Sequence, residues 1–163
     1  MSILIFTVGT IIMHKNAVGH TRDEIVKQVE AKEKSVHDYE SYVPVGNAVK
    51  KLQNWKKDGA EILYLTSRRK SKEIKQIKNV LKKHNFPNDQ LLFRRKNGEY
   101  KDVAERIIPD ILVEDDCESI GGIDEMTITH VKTEIKKKIQ SIPIKEFGGI
   151  DHLLDKISAL MKL

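Results

Sequence analysis

Two kinds of apolar pattern alternate along this chain. Ser2 to Val8, Glu61 to Leu65, Leu91 to Phe93, Asp110 to Val113 and Ile142 to Phe147 are short runs rich in β-branched or aromatic residues, which predicts buried strands. Between them apolar residues return every three or four positions, the spacing of one helix face. Ile25, Val26 and Val29 form such a stripe, with Thr21 and Glu24 as a capping box at its start. Val45, Ala48, Val49, Leu52 and Trp55 form a second, expected to run from Pro44 to a stop at Gly59. Ile74, Ile77 and Leu81 form a third, capped by Ser71 and closed by Asn85 and Pro87. Helices are also expected over Tyr100 to Ile108 and Thr129 to Ile139. A last one carries Leu153, Leu154, Ile157, Leu160 and Met161 after the Gly148-Gly149 turn. Residues 30–43, polar and charged with Tyr39 and Tyr42 among them, read as a surface excursion.

Strands alternating with helices imply βαβ units and a mainly parallel sheet between helical layers. The expected architecture is a three-layer α/β sandwich, one domain over residues 1–163 with a small insertion at about 11–43. With 39% hydrophobic and 33% charged residues the chain fits neither a disordered polymer nor a membrane-embedded protein. No apolar run approaches the ~20 residues that span a bilayer, and no basic stretch precedes the first strand as in a secretory signal. The lone Cys117 has no intramolecular partner for a disulfide, so the cytoplasm is the expected compartment. The net charge of +5 invites a nucleic-acid reading, but acids are interleaved almost throughout. The exception is the stretch from Arg68 to Lys83. Arg68, Arg69 and Lys70 lead it, and no aromatic residue interleaves it.

In open parallel sheets ligands bind at the carboxyl ends of the strands. Those ends are Phe6-Thr7-Val8-Gly9-Thr10, Thr66-Ser67-Arg68 and Glu114-Asp115-Asp116. Together with Lys101, upstream of the acidic cluster, this ordered set resembles the haloacid dehalogenase-like (HAD) hydrolases from about Ile3 to Phe147. Members carry Asp-x-Asp-Gly-Thr after strand one, a Thr or Ser after strand two, a Lys before the fourth strand and a carboxylate pair after it. Thr66, Lys101 and Asp115-Asp116 match the last three. Aligning on Gly9 and Thr10 puts Phe6 at the position of the family's nucleophilic Asp and Val8 at that of its acid/base. Neither side chain can attack phosphorus or carry a proton.

The acidic cluster Glu114, Asp115 and Asp116, extended by Glu118, is a candidate site for a hard cation such as Mg²⁺, because crowded carboxylates repel one another. The alternative is that one of them caps the following turn while others face water or pair with Arg68, Arg69 or Lys101. Thr66, Ser67 and Lys101 are candidate phosphate ligands through hydroxyls and charge. The family's flap or cap follows strand one, which makes His14, His20 and Arg22 candidate ligand contacts. Cys117, beside three acids, is expected to be a poor thiolate. The resemblance thus implies a divergent protein that binds a phosphorylated small molecule or partner with Mg²⁺ and lacks the aspartyl-phosphate step. Two alternatives stay open: a phosphohydrolase using metal-activated water, and a non-catalytic module for nucleic acid or protein.

Overall fold

The computed structural model describes residues 1–88 and 90–161. In chain order the strands are β1 (Ser2–Phe6), β2 (Ile12–Met13), β3 (Val43–Pro44), β4 (Glu61–Thr66), β5 (Leu91–Phe93), β6 (Ile111–Asp115) and β7 (Gln140–Ile144). The helices are α1 (Arg22–Glu30), α2 (Ala48–Lys57), α3 (Ser71–Lys83), α4 (Tyr100–Ile107), and the single turns α5 (Thr127–His130), α6 (Thr133–Lys136) and α7 (Ile157–Leu160). Five strands form one parallel sheet in the order β5-β4-β1-β6-β7. No helix among the described residues is long and apolar enough to cross a membrane.

Because successive strand residues face opposite sides, the apolar runs feed two cores. Ile3, Ile5, Ile62, Tyr64, Ile111 and Val113 pack against Leu52 and Trp55 of α2, Ile77 and Leu81 of α3, and the C-terminal segment. Leu4, Leu63, Leu65 and Leu112 pack on the other side against Val103 and Ala104 of α4 and against Ile128 and Val131. The outcome is a three-layer α/β fold, with β1 at the centre of the sheet.

Several segments depart from the expected pattern. The first strand stops at Phe6, because Gly9 takes a positive φ (83°) and the N–H groups of Thr10, Ile11 and Ile12 all turn back to the Thr7 carbonyl. Pro44 lies in β3, which pairs antiparallel with β2 and closes the base of the inserted segment; α2 begins only at Ala48. Ser71 is the first residue of α3, whose N-cap position is held by Lys70 without a side-chain bond. Residues 30–43 are no mere surface excursion: Tyr39 and Tyr42 are buried, with the Tyr42 hydroxyl donating to the Val36 carbonyl at 2.7 Å. The helix expected at Thr129 to Ile139 is broken into α5 and α6, since Val131 takes an extended backbone. β7 ends at Ile144, short of Phe147 with its positive φ (59°).

The C-terminal helix shrinks to one turn because residues 150–155 lie as a strap along α2. Asp151 accepts from the Asn47 N–H, Lys51 donates to the Leu153 carbonyl (2.7 Å) and to Asp155 (2.6 Å), and the Trp55 indole donates to the Leu154 carbonyl (3.1 Å). Leu154 and Met161, expected on an apolar stripe, are exposed. The capping box of α1 forms as the sequence predicts, Thr21 and Glu24 each bonding the other's backbone N–H.

Candidate functional site

The carboxyl ends of β1, β4, β6 and β7 open on two adjoining cavities of about 390 and 360 Å³, both lined by Val8, Arg68, Asp115 and Ile120. The inserted segment walls the first with His14, His37, Tyr39 and Tyr42. The second is walled by Phe6, Ser67, Tyr100 and Cys117. Phe6 meets Tyr100 edge to face, ring centroids 5.2 Å apart. Val8 reaches both cavities, so the two places that the resemblance assigns to carboxylates are apolar wall.

The acidic strand end divides its labour. Glu114 is buried in the wall of the second cavity: its carboxylate accepts the Thr127 N–H at 2.7 Å and the Ile128 N–H at 3.0 Å, the otherwise unpaired donors at the start of α5. The turn that follows the strand, where a carboxylate cap is the alternative reading, is capped by Asp115 and Asp116, which accept the Cys117 and Glu118 N–H groups at 3.0 and 3.3 Å. Asp115, Asp116 and Glu146 also bring one carboxylate oxygen each within 4.8 Å of one another. Asp115 Oδ1 accepts from the Cys117 N–H, while Oδ2 meets no donor among the described residues. Gly9 holds this space open: a Cβ there would lie 3.2 Å from Asp115 Oδ2. Burial raises the Asp115 pKa, the charges of Glu146 and Asp116 add to the rise, and bonds from Cys117 oppose it. Glu146 is buried and holds Ser119 through its N–H (2.7 Å) and hydroxyl (3.0 Å).

Of the flap candidates, Arg22 reaches the cluster, its guanidinium 3.3 Å from Glu146 and 3.4 Å from Glu118. His20 pairs with Glu24 at 3.3 Å on the exposed start of α1 and lines neither cavity. His14, 2% exposed, lines the first cavity; its Nδ1 bonds the Ser35 hydroxyl (2.9 Å) and its Nε2 has no partner among the described residues. Burial lowers its pKa, against the pull of Glu33 and with the push of His20. A histidine held below its unfolded value of about 6.5 contributes stability that is complete above that pH and is lost as pH falls through the folded value. Between pH 7.5 and 5.5 the wild type should lose stability with a slope of at most about 1.4 kcal/mol per pH unit from this group. Denaturant titrations of His14→Gln, which cannot protonate, should show that component gone.

Thr66 is fully buried and accepts the Arg68 N–H at 3.2 Å. Ser67 faces the second cavity and accepts from Arg68 Nε and Nη2 (3.3 and 3.0 Å), and Arg68 Nη1 donates to the Tyr39 hydroxyl at 2.6 Å. Lys101 lines neither cavity, its ammonium sitting 3.0 Å from Glu99. Burial pushes the Cys117 thiol up, and the charges of Asp115 and Glu114 push it further. Sequence reading missed Glu146, placed there only within the last strand, and Tyr39, which joins the insertion to Arg68. Inspecting the carboxyl end of β7 by the rule applied to the other strands would have found Glu146.

The sequence matches no protein-family model and no curated protein. Among solved structures it is similar to the class C acid phosphatase from Bacillus anthracis with tungstate bound, at 12% identity and TM-score 0.56, over 91% of this chain and 68% of that one. Another structure of the class C acid phosphatase from Bacillus anthracis gives 10% identity and TM-score 0.56, over 99% and 77%. A HAD family hydrolase from Deinococcus radiodurans R1, with bound phosphate and sodium, gives 7% identity and TM-score 0.49, over 87% and 79%. At these identities the likeness speaks for the fold, and this chain is built on the HAD-like α/β fold of those acid phosphatases.

Proposed function

We propose that the protein binds a phosphorylated ligand beside a divalent cation at the carboxyl edge of its sheet, with no aspartyl-phosphate step. The observation that carries this reading is a cleft with Phe6 and Val8 as apolar wall, lined by Asp115 and Glu146, whose carboxylates converge with that of Asp116. The three carboxylates fit a hard cation. They offer oxygen donors, Asp115 Oδ2 is free of donors among the described residues, and Arg22 is the one cation paired with the cluster there. Mg²⁺ bound there would supply charge that attracts and neutralises phosphate oxygens. Arg68 supports the anion side, since its bonds to Ser67 and Tyr39 leave further N–H groups to donate. A class C acid phosphatase of this fold holds tungstate, a phosphate-like anion, which supports the same class of ligand here.

Thermal unfolding tests it. Millimolar Mg²⁺ should raise the wild-type midpoint, by roughly 5–10 °C if the ion is present at 100 times its Kd. Asp115→Asn should lose that rise although its metal-free midpoint goes up, because a buried, repelled charge is gone. Tungstate or inorganic phosphate should add a further rise only with Mg²⁺ present. A wild type indifferent to Mg²⁺ would sink the proposal. Sustained hydrolysis of p-nitrophenyl phosphate, abolished in Asp115→Asn, would replace it with catalysis by metal-activated water.

A further inference from the structure

The tripeptide Arg-Arg-Lys occurs twice, as Arg68-Arg69-Lys70 and Arg94-Arg95-Lys96, and each copy follows a strand. Those strands, β4 and β5, are parallel neighbours in which Thr66 pairs with Phe93, so both triplets leave the sheet side by side at its carboxyl edge. Adjacent strands lie about 4.8 Å apart, which makes the two triplets one basic rim.

The first arginine of each triplet is half-buried over an aromatic ring of the cleft. Arg68 lies 5.4 Å from the Tyr39 centroid and Arg94 lies 4.0 Å from that of Tyr100. The other four, Arg69, Lys70, Arg95 and Lys96, are exposed, and none of the six is in an ion pair among the described residues. The nearest acids in sequence do not neutralise them: Glu99 is held by Lys101, and Glu73 pairs with none of them. Phe93, the last residue of β5 and the one immediately before the second triplet, is 46% exposed.

From this arrangement we infer a binding surface for single-stranded nucleic acid, running along the carboxyl ends of β4 and β5. Four unpaired cations in two rows neutralise successive phosphates, and an exposed ring adjoining the second row offers a base a face to stack on. An acidic protein would need the cations and have no use for Phe93. The surface is separate from the acidic cluster, so it stands or falls without the proposed ligand site.

The test is fluorescence anisotropy of a labelled single-stranded oligonucleotide of about 12 nucleotides, within the range such surfaces cover, titrated with the full chain at several salt concentrations. The wild type should bind with a log–log salt slope near about −3, for four contacts at about −0.7 each. Neutralising Arg69, Lys70, Arg95 and Lys96 together to Ala should abolish that slope. Phe93→Ala should weaken binding about tenfold and leave the slope unchanged. Lys136→Ala, Lys137→Ala and Lys138→Ala, exposed and preceding β7 at the opposite end of the sheet, should bind as the wild type does. A quadruple variant that binds like the wild type overturns the inference. So does a Phe93→Ala protein of unchanged affinity whose oligonucleotide is displaced equally well by polyglutamate, which would assign the rim to acidic protein.

Discussion

Glu114→Ala is expected to destabilise the protein by about 2–4 kcal/mol and to leave any Mg²⁺-dependent rise in midpoint intact. The substitution orphans two buried N–H groups, those of Thr127 and Ile128, and each costs about 1–3 kcal/mol when unsatisfied. Relief of a desolvated charge offsets part of this, since burial raises the Glu114 pKa more than the two N–H bonds lower it. Glu114→Gln should fall between, because its amide oxygen can accept from only one side while the NH₂ group faces the other donor. At roughly 2–4 °C per kcal/mol for a chain of this size, the Ala variant should melt about 5–15 °C below the wild type. Its magnesium response separates the roles. A mutant that folds well yet no longer responds to Mg²⁺ would return Glu114 to the metal site and remove it from the α5 cap.

That distinction shows where the sequence stops being legible. Glu114, Asp115 and Asp116 are consecutive, and the motif treats them as one acidic cluster. In the strand, alternate side chains point to opposite faces, so Glu114 faces α5 in the wall of the second cavity while Asp115 reaches both cavities. The third member of the converging set, Glu146, comes from just past the carboxyl end of β7, thirty residues downstream of Asp116, and only the strand-end rule applied to β7 points to it. The sheet itself was readable. β1, β4 and β6 are buried on both faces and appear as continuous apolar runs, and α3 shows its stripe of Ile77 and Leu81 against lysines. The C-terminal strap was not readable. Leu153, Ile157 and Leu160 fit a helical period, and they are indeed buried, but the segment before Ile157 is shaped by Lys51 and Trp55 taking its carbonyls. The basic rim was half visible. Arg68 to Lys70 stood out, yet the aromatic residue that changes its meaning joins it only through the β4–β5 pairing.

Phe6→Asp is the substitution that most directly tests whether position 6 faces the proposed cation site. In the metal-free protein it should cost about 3 kcal/mol, at the low end for loss of a packed phenylalanine because the side chain is only partly buried. The Tyr100 ring loses its edge contact, and the new carboxylate enters the cavity that Asp115 already lines. Like charges brought together in a half-buried cleft repel, so the metal-free midpoint falls further at neutral pH than at pH 4, where carboxylates are substantially protonated. A divalent cation reverses the sign of that interaction: a fourth oxygen donor close to Asp115, Asp116 and Glu146 adds to its binding. Mg²⁺ should therefore raise the Phe6→Asp midpoint more than it raises that of the wild type, recovering part of the loss. Phe6→Ala, with the same packing defect and no charge, should be destabilised to a similar extent and show only the wild-type response to Mg²⁺. If the two variants respond alike, position 6 does not face the proposed metal, and the alignment on Gly9 and Thr10 that gave Phe6 its place is wrong for this chain.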